Sequence, residues 1–403
     1  MANFMTFEQV ATVFNAIQQQ ATGQATMAPI DTASFVSAAT TALRTGYDPI
    51  FNAINQVLSR TWFSVRPYSR KFKGLEYSET EWGNATRKLA IADKPIKEDE
   101  RYLWPQAYNE GELPADGDGE PGADMFQINK PDLLQTNFYG SNVWSDAYTI
   151  FKDQLDCAFR SPEEFGQFIS MVQQNISDKL ENVRENVSRA TLVNFIGGIL
   201  NENDDNRVVH LLTEYNTLTG LTLTEETVYQ PANYKAFIQW AFARIASISD
   251  MMTERTELFQ TVVKGKHIIR HTPMADQRVY LYAPARHQTS MMALADTYHD
   301  NFLSQAVTET VNFWQSPDAG DSINVKPSRI GTDGSVVRPG TAVEQSGVFG
   351  VIMDRNAAGV ATTQSWSSPT PFNSRGGYTN YWLHETQRVF NDHSEKGVVL
   401  LMD

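Results

Sequence analysis

The stretch Ser161-Pro162-Glu163-Glu164 constrains this chain more than any other, because it marks where one very long helix begins. A serine side chain caps the helix, and proline is preset for the first helical position. The glutamate three residues past the cap completes a capping box. Behind it Phe165, Ile169, Val172, Ile176, Leu180, Val183, Val187 and Ala190 step by three and four along one stripe, while Asp178, Lys179, Glu181, Arg184 and Glu185 fall on other faces. The pattern predicts a helix over 162–196, ended by Gly197-Gly198. At about 1.5 Å per residue it would run roughly 50 Å, longer than a small domain is wide. Such a helix is a spine, and at 403 residues the chain also exceeds the usual size of a single core. Two subdomains, or one elongated molecule, are expected.

Composition narrows the class. Hydrophobic residues at 41% and aromatics at 11% are enough to bury a core. No apolar run approaches the roughly 18 residues that cross a bilayer. Met1-Ala2-Asn3-Phe4 lacks the charged and apolar regions of a secretory signal, which disfavours export and membrane insertion. A net charge of −14 argues against a dedicated DNA binder, since non-specific nucleic-acid affinity needs clustered positive charge. Cys157 is the single cysteine and can make neither an intrachain disulfide nor a zinc site by itself. Nucleophile-elbow, Walker, dinucleotide-binding and His-Glu-x-x-His patterns do not occur. No catalytic residue, cofactor or metal ligand is nominated.

Around the spine the organisation changes several times. Thr6 can cap a helix bearing Phe7, Val10, Val13, Phe14 and Ile17, Asp31 can start a second, and Asp48-Pro49 opens a third with Ile50, Phe51, Ile54, Val57 and Leu58. This region reads as an arm too thin to hold a core alone. From Arg60 to Lys73 the chain is aromatic, β-branched and loosely alternating, and Gly74 and Gly83 punctuate the stretch from there to Ile91, which suggests an extended hairpin. Past residue 205, strand-like Val208 to Leu212, a helix near 234–252, the strand run 279–283 and a helix begun by Pro284 alternate. Turn signals at 318–320, 332–334, 339–340 and 375–377 mark a return to strands. The apolar end, Lys396 to Asp403, predicts a buried closing strand.

Charge supplies the candidate site. Arg60, Arg66, Arg70, Lys71 and Lys73 interleave with Trp62, Phe63, Tyr68 and Phe72, a composition suited to stacking and phosphate contact. Residues 93–124 hold ten acids against three bases, among them Glu98, Asp99, Glu100, Asp116, Asp118 and Glu120. The stronger reading is therefore a protein contact, in which the basic and aromatic set Trp62, Arg66, Arg70, Lys71, Phe72 and Lys73 meets the acidic surface of a neighbouring subunit. Asp116, Asp118 and Glu120 imitate the start of a calcium loop, but the sixth and twelfth positions are Pro121 and Gln127, so the motif fails. His267 and His271 stand four apart in a segment that looks extended, which does not bring both imidazoles to one ion.

Pro67 to Tyr77, Asp153 to Arg160, Arg207 to Asn216, Tyr280 to Arg286 and His384 to Val389 resemble stretches of head proteins from phages of gut bacteria. The whole layout is similar to the major capsid proteins of tailed bacteriophages, the Hong Kong ninety-seven fold. The resemblance implies an α+β protein with an N-terminal arm at 1–60 and an extended loop at 61–135. A peripheral domain at 136–204 would hold the spine, an axial domain would span 205–370, and return strands at 371–403 would rejoin the peripheral domain. It further implies self-assembly into hexamers and pentamers of an icosahedral shell. Partners would be a portal, a separate scaffolding protein, an optional decoration protein, and double-stranded DNA touched weakly on the inner face, with no membrane. The location would be the virion, after assembly in the bacterial host cytoplasm. Two alternatives stay open: an encapsulin-type container shell, and a cytoplasmic α/β hydrolase or transferase.

Overall fold

The computed structural model describes residues 7–22, 32–45, 50, 70–77, 85–92, 132–139, 141–284 and 307–403. In chain order the helices are α1 (Phe7–Thr22), α2 (Thr32–Thr45), α3 (Lys152–Ala158), α4 (Pro162–Glu202), α5 (Leu211–Thr219), α6 (Glu225–Val228) and α7 (Pro231–Thr253). The strands used below are β1 (Ala85–Ala92), β2 (Asp132–Tyr139), β3 (Asn142–Phe151), β4 (Val208–His210), β5 (Gln277–Tyr282) and β6 (Val307–Val311), then β7 (Ile323–Val325), β8 (Arg329–Ile330), β9 (Val336–Val337), β10 (Val343–Gln345), β11 (Val348–Asp354), β12 (Ala358–Pro369), β13 (Tyr378–Asn391) and β14 (Gly397–Leu401).

The spine α4 starts where its cap predicts, with Ser161 Oγ accepting from the Glu164 amide at 3.1 Å, but it runs to Glu202 rather than stopping at Gly197-Gly198. Those glycines serve close packing. A Cβ at Gly197 would sit 2.5 Å from Val325 Cγ1 and one at Gly198 would sit 2.1 Å from His393 Nε2. The helix ends instead at Asn203, which takes the left-handed conformation at φ 54°. Ala190, placed on the apolar stripe by its spacing, is exposed, and Leu192, Val193, Phe195, Ile196 and Ile199 carry the buried face of the last turns.

A five-stranded sheet in the order β4-β14-β11-β5-β6 lies between two helical layers. Strand side chains alternate between faces, so Val279, Leu281, Ile352, Val398 and Leu400 meet Phe237, Ile238, Phe242 and Ile245 of α7. Tyr280, Val351, Met353, Val399 and Leu401 meet Phe195, Ile196 and Ile199 of α4. Both faces are covered, which explains the near-continuous apolar runs of β11 and β14. The closing strand is buried at every position and sits second from the edge of this sheet, beside β4 and β11. The strand-like run from Val208 is shorter than its composition suggests, because Leu211 already begins α5.

A second sheet, β12-β13-β3, packs along α4, with contacts from Lys179 through Arg184 to Thr191. Arg184 forks onto Glu385 with two contacts of 2.8 Å, and Lys179 pairs with Asp146 at 2.9 Å. Here the arm departs from expectation. Val10, Val13, Phe14 and Ile17 of α1 and Phe35 and Ala39 of α2 are buried with Phe159, Phe165 and Tyr381. The two helices thus find their apolar partners within the chain. The third predicted helix, past Ile50, and the helix begun by Pro284 lie outside the described residues, apart from Ile50, Ala283 and Pro284 themselves.

Candidate assembly surfaces

Strands β1 and β2 form an antiparallel ribbon in unbroken register, from Ala85 opposite Tyr139 to Ala92 opposite Asp132. Its inner face carries Ala92 and Leu134, which close a small cluster with Val263 and Ile268, while the Phe138 ring lies 5.4 Å from that of Phe390. The alternate positions face away from the body. Leu89 is 57% exposed, Ile91 63%, Leu133 52% and Tyr139 75%, with Ile91 directly opposite Leu133. A strand pair that is apolar on both faces but covered on one leaves a patch that no described residue buries.

Lys88, on the ribbon itself, ties it to the body. Lys88 Nζ lies 2.6 Å from Asp392 Oδ2 and also contacts Glu395, which pairs in turn with Arg270. Asp392 accepts from the Ser394 amide at 3.0 Å and from Ser394 Oγ at 2.6 Å, an Asx turn that shapes the loop between β13 and β14. Burial pulls Lys88 below the usual lysine range against the opposing attraction of Asp392. Burial would raise Asp392, but Lys88, Ser394 and Arg270 outweigh it and hold the carboxyl low. Next in the loop, His393 stacks on Phe195 at 5.0 Å and is pushed down to about 3, by burial first and then by the Arg207 cation. Arg207 is fully buried and reaches Glu202 at 2.8 Å, Thr261 Oγ1 at 2.7 Å and the His393 carbonyl at 3.2 Å.

The basic and aromatic stretch is described only from Arg70. Its end is not a strand. Phe72 takes φ 63°, and Lys73–Leu75 is a single 3-10 turn. Arg70 pairs with Glu76 and, at 3.1 Å, with Glu181 of the spine, while the Gly74 amide donates to Glu309 at 2.9 Å. Burial raises the Glu309 carboxyl, and the Gly74 amide works against that shift. Phe72 is buried beside Tyr280, with the Arg189 guanidinium 5.1 Å above its ring. Lys71 and Lys73 are exposed.

The outer face of the three-stranded sheet adds an aromatic surface. Trp366 stands opposite His384 across the β12/β13 pair and stacks on it at 4.1 Å, and Trp382 lies on the same face, both tryptophans largely exposed. Among the described residues, no group of three or more metal-ligating side chains converges and no helix is long and apolar enough to cross a membrane. His267 meets Glu257 at 2.7 Å on the surface.

The family model for the Phi29-like phage major capsid protein matches residues 14–401. The chain belongs to this family. As a capsid subunit it has a structural role in the phage shell and is a component of the virion, which decides against the container and enzyme readings. Its fold is similar to a chain in the capsid structure of Staphylococcus phage Andhra, with 12% identity, a TM-score of 0.55, and 85% of this chain and 87% of that one covered. It is also similar to a chain in the structure of the head fiber and inner core protein of native bacteriophage P68, with 11% identity, a TM-score of 0.52, and 85% and 87% covered. No curated protein matches the capsid chain.

Of the residues nominated from sequence, Arg70, Lys71, Phe72 and Lys73 are brought onto one short segment across the spine. Phe72 and Arg70 make their contacts within the subunit, which corrects the expectation that these two residues of the set meet a neighbour's acidic surface. Trp62, Arg66, Glu98, Asp99, Glu100, Asp116, Asp118 and Glu120 lie outside the described residues. Sequence reasoning missed the ribbon's outer face and the polar loop 392–396. The alternation of Leu89, Ile91 and Leu133 was available as a signal, but nothing local says which face a neighbour covers.

Proposed function

We propose that this capsid subunit assembles through its ribbon into an icosahedral head of the Hong Kong ninety-seven type, in hexamers and pentamers, around the double-stranded DNA of a tailed phage. The relationship to head proteins of gut-bacterial phages belongs to the same reading. The observation that carries it is the apolar outer face of β1 and β2, a surface of Leu89, Ile91, Leu133 and Tyr139 left exposed among the described residues. Covering it with a neighbour removes apolar area at every contact, and many copies of a modest contact hold a shell together. The arm, loop, peripheral, axial and return divisions at 1–60, 61–135, 136–204, 205–370 and 371–403 are the corresponding parts of the subunit.

Charge plays a second part in this reading. Trp62, Arg66, Lys71 and Lys73 remain for a neighbour's acids at Glu98, Asp99, Glu100, Asp116, Asp118 and Glu120, once Arg70 and Phe72 are assigned to the subunit interior. A subunit with a net charge of −14 suits a wall that touches packaged DNA weakly. A separate scaffold, a portal and a decoration protein would be the further partners, met during assembly in the host cytoplasm. Negative-stain microscopy of the expressed chain, alone and with its scaffold, tests the proposal. Closed shells are expected from the wild-type chain and not from L89S/I91S. A chain that stays monomeric at all concentrations and with scaffold would sink it.

A further inference from the structure

A cleft of about 270 Å³ opens where α6, the start of α7 and the end of β5 converge. Glu225, Tyr229, Tyr234, Tyr282 and Asp321 form its walls, and Phe349 and Met402 line it with apolar surface. Its volume is at the small end for ligand sites, the size of one side chain rather than an elongated cofactor. The rings of Tyr229 and Tyr234 stand 5.5 Å apart at 33° and make one continuous aromatic wall. Among the described residues no lysine, arginine or histidine lines the cleft, and Glu225 makes no ion pair to a described residue. Among the described residues the Asp321 carboxylate has one hydrogen bond, from Ser322 Oγ at 3.2 Å. Burial and the charges of Glu225 and Asp321 raise the Tyr229 phenol, burial and Asp321 raise Tyr282, and Tyr234 is pushed up to about 12. The three phenols therefore stay neutral at physiological pH. Two carboxylates and three tyrosines, with no cation among the described lining residues, make a complementary surface for a positive charge on an apolar stem.

We propose that this cleft binds a cation, and that its occupant is the guanidinium or ammonium group of an arginine or lysine side chain presented by a second copy of the chain. The cation class rests on the cleft alone. The source rests on the capsid reading, in which each subunit is surrounded by copies of itself. Arginine suits the site better, because its plane can stack on the tyrosine wall while its fork meets a carboxylate.

The experiment titrates Nα-acetyl-argininamide into the soluble subunit and follows the ring signals of isotope-labelled tyrosine by NMR. Saturable shifts are expected at Tyr229, Tyr234 and Tyr282, weakened about tenfold in E225Q/D321N and by raised salt, and absent with the uncharged citrulline analogue. Tyr229→Phe keeps the ring and should keep binding. If the double variant does not fold, Tyr229→Ala at the exposed rim carries the same comparison. No saturable shift in the wild type, or equal binding of the citrulline analogue, overturns the cation site. Assembly gives the second readout: E225Q/D321N should raise the protein concentration needed for shells about tenfold. Unchanged assembly by a variant that has lost arginine binding overturns the second copy as the source. A wild-type chain that never assembles defeats the capsid reading instead, while the titration still decides the cleft.

Discussion

The five-stranded sheet and the β1/β2 ribbon are built from similar residues and end in opposite states. In the sheet, successive side chains of β14 alternate between α7 and α4, and every one of its residues is buried. In the ribbon, successive side chains alternate between the body and water, so Lys88 and Ala90 are partly covered while Leu89 and Ile91 are exposed. An apolar strand is therefore not evidence of a core. What separates the two is whether the chain has a second layer to lay on the other face, and at the ribbon it has none among the described residues. The five-stranded sheet buries both its faces within the subunit, whereas the ribbon's outer face is the surface proposed above for association.

Four experiments sharpen that contrast. Phe195→Ala removes a fully buried ring between α4 and the sheet and should cost about 3–5 kcal/mol in chemical denaturation of the soluble subunit. Lys88→Met should cost about 3 kcal/mol, because it removes the largest favourable partner of the buried Asp392, and hydrogen exchange should rise in the ribbon more than in the five-stranded sheet. Equal protection loss in both would mean that the ribbon is not a separate unit. His393 gives the pH arm of the comparison. Its folded value of about 3 lies below the unfolded value near 6.5, so the neutral ring contributes its full stability above about pH 6.5. That contribution falls by at most about 1.4 kcal/mol per unit as pH drops toward 3, and the difference between wild type and His393→Gln in urea midpoints from pH 7 to 4 measures it. The smallest effect belongs to L89S/I91S, within about 0.5 kcal/mol of wild type in denaturation, since exposed side chains hold little of the monomer's stability. A large loss would show that the ribbon face is folded into the subunit after all.

Local rules located the elements with a local cause. The Ser161-Pro162 start of the spine, the buried closing strand and the turns at Gly334 and Gly377, both at positive φ, come from caps, apolar runs and glycine freedom that a few neighbouring residues express. The acidic and basic stretches were equally plain as composition, but composition does not say which charges the chain keeps for itself. Arg70 turned inward to Glu181, a residue more than a hundred positions away, and no local pattern announces such a pair.

The sequence by itself determined a long capped helix, apolar strands buried on two faces, an acidic subunit without catalytic motifs, and enough of a layout to place it with phage capsid proteins. Only the tertiary structure decided that Gly197 and Gly198 admit Val325 and His393 rather than end the helix, and that α1 and α2 have partners at home. It also decided that Leu89 and Ile91 face outward. The reason is physical: backbone preference and periodicity act within a turn or two of the chain. Burial depends on which distant surface arrives to exclude water, and that is settled only when the layers have packed.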